Sequence, residues 1–152
     1  MLVGVVSDTH GLLRPALLTA LVGVEHILHC GDVGDPAILT ALSAIAPVTA
    51  IRGNIDEHGP CAHLPATEVV TLAGRDIYLL HDRNALDLDP VAAGFAAVLS
   101  GHSHQPLIEH RRGVLYLNPG SCGPKRFSLP ISFVRLTIPK EDALSAEIIN
   151  IV

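Results

Sequence analysis

Along the first third of the chain, apolar and polar positions follow two rhythms in turn. Short and almost wholly apolar runs, LVGVV (2–6), HILHC (26–30) and VTAIR (48–52), are bounded by turn residues and predict strands. Between them RPALLTALV (14–22) and PAILTALSAI (36–45) predict helices. Pro15 and Pro36 fall in the first turn of those helices, where a missing N–H has no partner to lose. Apolar strands interleaved with helices imply a parallel sheet covered on at least one face. The rhythm then changes. EVVTLAGRDIYLLH reads as a hairpin turning at Gly74-Arg75, and LIEHRRGVLYLNPG as another turning at Arg112-Gly113. ISFVRLTIP and ALSAEIINIV read as a final antiparallel pair, 87–94 as one short helix, and EHGPCAHLPA (57–66) as a loop. The pattern holds no repeat or linker and predicts one α/β domain, residues 1–152, with mixed sheets.

Composition supports a packed globular chain. Of 152 residues, 49% are apolar and 16% charged, with only five aromatics, so the core is built from Val, Leu, Ile and Ala. The net charge of −5 and the lack of a basic run weigh against generic binding to nucleic acid or anionic membrane. An anionic substrate would have to be met locally, by a few cations or a metal. Cys30, Cys61 and Cys122 are widely spaced and odd in number, which points to reduced thiols rather than a disulfide framework. No apolar run approaches the roughly 20 residues that span a bilayer, and MLVGVVSDTHG lacks the basic start of a signal peptide. The expectation is a cytoplasmic protein, with a homo-oligomer left open.

The residues just past each apolar strand carry the chemistry. The first strand runs into SDTH (Asp8, His10), the second into CGDVGD (Asp32, Asp35) and the third into RGNID (Asn54, Asp56). The first hairpin ends in LHDR (His81), and AAVLS runs into GHSH (His102, His104). In α/β sheets the crevice beyond the carboxyl ends of the strands is where ligands bind. Asp, Asn and His without thiolate suit a divalent transition metal such as manganese, iron, zinc or cobalt. Seven candidate ligands exceed what one ion with an open position takes, so two ions sharing a carboxylate are inferred, roughly 3.5–4 Å apart.

The ordered set DxH, GDxxD, GNxD, a lone His and GHxH resembles the calcineurin-like metallophosphoesterase superfamily. The short chain and LNPGS (117–121) are similar to its small YfcE-like phosphodiesterase branch. The resemblance implies a four-layer α/β/β/α sandwich of two mixed β-sheets. It implies that Asp8, His10 and His104 hold one metal, that Asn54, His81 and His102 hold the other, and that Asp32 bridges them. The metals would be two Mn²⁺, with Zn²⁺, Fe²⁺, Co²⁺ or Ni²⁺ as alternatives. It implies in-line attack of a bridging hydroxide on a small phosphodiester, with Asp32, Asn54 and His102 placed at the reaction. Arg83, Asn118 and Ser121 would touch the phosphate, and Asp35 would support its loop. A phosphomonoesterase or nucleotidase on the same site, or a non-catalytic scaffold like the retromer subunit of this fold, are the alternatives.

Two positions depart from the pattern. Ile55 stands where many members carry the His of GNH, which protonates the leaving group, and HDR (81–83) replaces the HGH common in small members. His58 and His63, in the loop after the third motif, are candidates for the missing acid. His29 is expected to be a packed, hydrogen-bonded residue, and His110, Arg111 and Arg112 a solvated surface. Cys61 and Cys122 lack the neighbours of a nucleophile.

Overall fold

The computed structural model describes residues 1–151. Ten strands form two five-stranded sheets. β1 (Leu2–Val6), β2 (His26–His29) and β3 (Val48–Ala50) are parallel neighbours, as their apolar character requires. They are joined through α1 (Pro15–Ala20) and α2 (Pro36–Ser43), both of which begin at the expected proline. Asp35 caps α2, its carboxylate accepting from the Ala37 N–H at 2.9 Å. The final antiparallel pair, β9 (Ser132–Thr137) and β10 (Ser145–Asn150), joins the far side of β1, giving the order β10-β9-β1-β2-β3.

The second sheet has the order β4-β5-β6-β8-β7. Its hairpins are β4 (Thr67–Leu72) with β5 (Arg75–Leu80), and β7 (Leu107–Arg111) with β8 (Val114–Asn118). The first turns one residue earlier than the sequence pattern predicts, at Ala73-Gly74. Both hairpin loops have two residues with positive φ, Ala73 and Gly74 in one and Arg112 and Gly113 in the other. That backbone matches the twist of the flanking strands. β6 (Ala97–Leu99) lies parallel between β5 and β8.

Apolar side chains on the facing sides of the sheets make one core, with Val3, Val5, Leu28 and Ile51 against Ile77, Leu79, Leu99 and Leu117. On the other face of the first sheet Val6, Ile27 and Phe133 pack with Leu17, Leu21, Ile38 and Leu42 of the helices. The outer face of the second sheet carries a thinner cover. There Tyr78, Leu80 and Val98 pack under Leu86, Leu88 and Phe95, on a segment holding one 3₁₀ turn (Arg83–Ala85) and α3 (Pro90–Ala93). The layers are α/β/β/α, the last of them only two short turns of helix. Because both sheets point the carboxyl ends of their central parallel strands to one rim, the loops after β1, β2, β3, β5 and β6 meet there.

Candidate metal centre

The loops after β1 and β2 run side by side beyond the sheet. The N–H groups of Asp8, His10 and Gly11 donate to the carbonyls of Gly31, Asp32 and Val33 at 3.0, 2.9 and 2.9 Å. This prolongs the parallel ladder while the backbone turns left-handed. Asp8, His10, Asp32, His102 and His104 all have positive φ, between 47° and 69°. Each such residue costs on the order of 1 kcal/mol, and non-glycine outliers of this kind gather at functional sites.

Side chains and backbone then lock the loops together. Asp56, fully buried, accepts from the N–H groups of Val33, Gly34 and Gly53 at 2.9–3.0 Å. Asp8 Oδ2 accepts from the Ser7 hydroxyl at 2.6 Å and from the His102 N–H at 3.1 Å, which ties the two sheets. The Ile55 N–H donates to Asp32 Oδ1 at 3.1 Å. Gly53 lies so close that a Cβ there would strike Asp32, and one on Gly101 would strike Ser7 and Asp8.

The remaining atoms converge. Asp8 Oδ1 stands 3.4 Å from His104 Nε2, 3.6 Å from His10 Nε2 and 3.8 Å from His81 Nε2. Asp32 Oδ2 stands 3.3 Å from both His10 Nε2 and His81 Nε2. Asn54 Oδ1 and His102 Nδ1 face each other at 3.2 Å, and the His81 and His102 rings lie 5.2 Å apart. All seven residues singled out as ligands thus come to one rim. Asp8, His10 and His104 form one group that can hold an ion, and Asp8, Asp32 and His81 a second; Asn54 and His102 border the latter.

The donor set passes a test of fit. His81 Nδ1 lies 2.7 Å from the Cys30 carbonyl, which only accepts, so Nδ1 carries a proton and Nε2 is the nitrogen left to face two carboxylates and, once deprotonated, to ligate. Asp8 Oδ1, His10 Nε2 and His81 Nε2 are buried there without a hydrogen-bond partner, and so is Nδ1 of His104, whose Nε2 is the nitrogen that faces Asp8. Carboxylate oxygens and ring nitrogens gathered so closely are unfavourable unless positive charge lies among them, either a proton on His10 or a bound cation. Spacings of 3.3–3.8 Å are those of neighbouring ligands that each stand about 2.0–2.2 Å from one ion.

Electrostatics agree. Burial opposes ionisation of Asp8 and Asp32, yet the facing imidazoles prevail: His10 and His104, with Ser7, for Asp8; His10 and His81 for Asp32. Both carboxyls lie well below the usual range. Asp32, then Asp8, raises His10 to about 9. Burial works against protonating His81, but the same carboxylates shift it upward. His29 is different: burial holds it down at about 4. Its Nδ1 accepts from the Gly31 N–H at 3.1 Å, so its Nε2–H donates to Thr9 Oγ1 at 3.0 Å, and Thr9 donates to Val33 O. It braces the loops from below, packed and hydrogen-bonded as expected.

Residues 1–141 match the model of the calcineurin-like phosphoesterase superfamily domain. A probable metallophosphoesterase of Methanocaldococcus jannaschii is 37% identical over 99% of this chain and 82% of its own. The chain belongs to the calcineurin-like phosphoesterase superfamily. Two solved structures share the fold of this phosphoesterase. Vps29 of Entamoeba histolytica, complexed with Zn²⁺, aligns over the whole of both chains with a TM-score of 0.75 and 22% identity. An archaeal phosphodiesterase aligns over 98% of this chain and all of its own with a TM-score of 0.76 and 22% identity.

Outside the cluster, several expected phosphate contacts are engaged elsewhere. Asn118 donates to Gly101 O at 2.8 Å and to Ser103 Oγ at 3.1 Å, while its oxygen accepts from the Gly120 N–H. Ser121 is buried and donates to Asp8 O at 3.0 Å. Arg83 lines a cleft beside His102, but its guanidinium lies 3.2 Å from Glu109 and 4.5 Å above the Tyr116 ring. Ile55 is 43% exposed and offers the site only its N–H. His58 and His63 are exposed and line neither cleft beside His102, and His63 faces Pro60 O. All three cysteines are buried and unpaired, and burial raises their thiols, Cys122 to about 12. The bracing roles of Ser7, Thr9 and Asp56 are not legible in the sequence. The Asp of GNxD is the one visible sign of them.

Proposed function

We propose that this metallophosphoesterase hydrolyses phosphodiesters at a centre of two divalent metal ions, with manganese as the leading candidate. Asp8, His10 and His104 would hold one ion, and Asn54, His81 and His102 the other. Asp32 would be shared, because its Oδ2 is equally near one ring of each set, at 3.3 Å. Asp8 Oδ1 lies nearer to His104 and His10 than to His81. Ions so held supply Lewis acidity toward a phosphoryl oxygen and a water nucleophile at neutral pH.

The chain's own residues supply placement. The Ile55 N–H and Gly53 keep Asp32 in one orientation, and the Cys30 carbonyl keeps His81 in one tautomer. Asn118 and Ser121 support the reading as braces of the loops that carry Asp8 and His102. His102, with 47% of its side chain exposed, is the member of the cluster best placed to meet substrate. The side chain of Ile55 carries no proton, so leaving groups that need none are favoured; a positioned acid is worth about 10²–10⁴-fold. The single observation that carries this reading is the convergence of Asp8, His10 and His104, and of Asp8, Asp32 and His81, into two adjoining groups that can each hold an ion.

Metal analysis of the purified protein, followed by a panel of phosphomonoesters and phosphodiesters with each ion restored, tests the reading. Two equivalents of metal and metal-restored diester turnover are expected, with Asp32→Asn abolishing it. Near-normal turnover in that variant, or no bound metal at all, would overturn it.

A further inference from the structure

Two clefts open on either side of His102 and Asp82, and that pair lines both. The larger, about 490 Å³, runs from Asn54 and His81 across Tyr78 and Leu80 to Ala66 and Ala85. The smaller, about 290 Å³, passes Ser103 and Gln105 and reaches Leu107. Sites for small organic ligands measure roughly 300–1,000 Å³, so the larger cleft lies within that range and the smaller, at its lower edge, suits a compact organic group. A phosphomonoester carries one such group and needs one cleft. An acyclic diester carries two, and they leave phosphorus in different directions.

Charge narrows the class of arm. The larger cleft is edged by Glu57, Asp82 and Asp87, with Arg52 as its one cation. Arg52 donates to Leu64 O at 2.8 Å, so part of its guanidinium is committed to the protein. The smaller cleft is lined by Asp82 and by Arg83, which Glu109 already pairs. An arm bearing a further phosphate would meet carboxylates in either place, whereas hydroxyl and N–H donors would meet acceptors.

We infer, resting on the hydrolytic reading above, that the substrate is an acyclic phosphodiester with two uncharged arms. The larger cleft seats a hydroxyl-bearing arm of nucleoside size between Ala66, Thr67 and Ala85, with its donors toward Glu57 and Asp87. The leaving group lies in the smaller cleft.

Three chromogenic compounds test this in the metal-restored protein: thymidine 5′-(4-nitrophenyl) phosphate, its 3′-phosphorylated counterpart, and 4-nitrophenyl phosphate. The wild type is expected to favour the first over the second roughly tenfold in kcat/KM. Ala85→Trp, on an exposed turn, should lower the ratio of the first to 4-nitrophenyl phosphate roughly tenfold by filling the larger cleft. Asp87→Asn should narrow the gap between the first and second compounds. Thymidine alone, titrated into zinc-loaded protein, should shift the amide resonances of Thr67 and Ala85 in the wild type and not the corresponding ones in Ala85→Trp. Hydrolysis with unaltered ratios in the variants, or thymidine shifts elsewhere, overturns this inference and leaves the hydrolytic reading standing. Failure of the wild type to hydrolyse any of the three overturns the hydrolytic reading, and this one with it.

Discussion

Asp56 meets no candidate ligand, yet three backbone N–H groups from two loops end on its carboxylate. Asp56→Ala leaves those donors without a charged acceptor. The expected loss is about 3 kcal/mol, lowering Tm by about 6–12 °C, read by thermal denaturation of the metal-free protein. A change within about 0.5 kcal/mol would mean that other bonds suffice. The histidines give a second prediction. In metal-free protein His10 keeps its proton to about pH 9, against an ordinary 6.5, so its stabilisation is complete below pH 6.5 and is lost as pH rises through 9. The depressed carboxyls of Asp8 and Asp32 act oppositely, stabilising above their ordinary range and less so as acid titrates them. His29, held neutral to about 4, weakens the fold as pH falls below 6.5, because the unfolded chain is protonated first. Metal must displace the His10 proton and any on His81, so binding at pH 8 should release about one proton or more, measured by calorimetry in buffers of different ionisation enthalpy. No release would place the neutral ring there already. Competition from that proton should weaken metal affinity progressively below about pH 9, well above the 6.5 of an ordinary imidazole.

The strand-end loops differ from the hairpin loops in what their backbone supports. Gly74 turns a hairpin with nothing near its missing Cβ, whereas Gly53 lies against Asp32. Gly74→Ala is expected to cost about 1 kcal/mol for its positive φ and to leave metal content unchanged. Gly53→Ala should displace Asp32 and reduce bound metal several-fold, measured by elemental analysis after dialysis. Equal metal retention in the two variants would show that Asp32 needs no such close approach. These loops also mark where the sequence was legible. Strands β1 to β3, the proline starts of α1 and α2, and both hairpins follow from apolar period, Pro and Gly. β3 stops two residues early because its backbone leaves the sheet into the rim, and α2 stops two residues early because Ala44 to Ala46 turn back toward the start of β3. The left-handed turns at Asp8, His10, Asp32, His102 and His104 fall on Asp and His, which tolerate that backbone better than most residues but do not require it, so residue type alone does not mark them. Tertiary bonds between adjacent loops hold them there against local preference.

For the molecule as a whole, metal binding and folding are coupled, because the ligands come from both sheets. Loading the centre to about 100 times its Kd should add about 2.7 kcal/mol and raise Tm by about 5–11 °C, reversed by chelator. An unchanged Tm in metal-loaded protein would mean that the rim holds ions no better than the unfolded chain. Cys30, Cys61 and Cys122 are buried in the cores, so a thiol reagent should label all three only as fast as the protein unfolds. No helix among the described residues is long and apolar enough to cross a membrane. Residue order settled a good deal here: an α/β chain, the strand ends that carry Asp, His and Asn, and a chemistry of hard oxygens and imidazoles. These are local properties, set by apolar period and side-chain type. Packing decided that β9 and β10 join β1, and that the Asn118 and Ser121 of LNPGS brace the loops while Arg83 pairs with Glu109. It also turned Nε2 of His81 toward two carboxylates. Such facts depend on which distant loops share a rim, and apolar contact between two sheets, which spacing along a chain does not encode, brings those loops together.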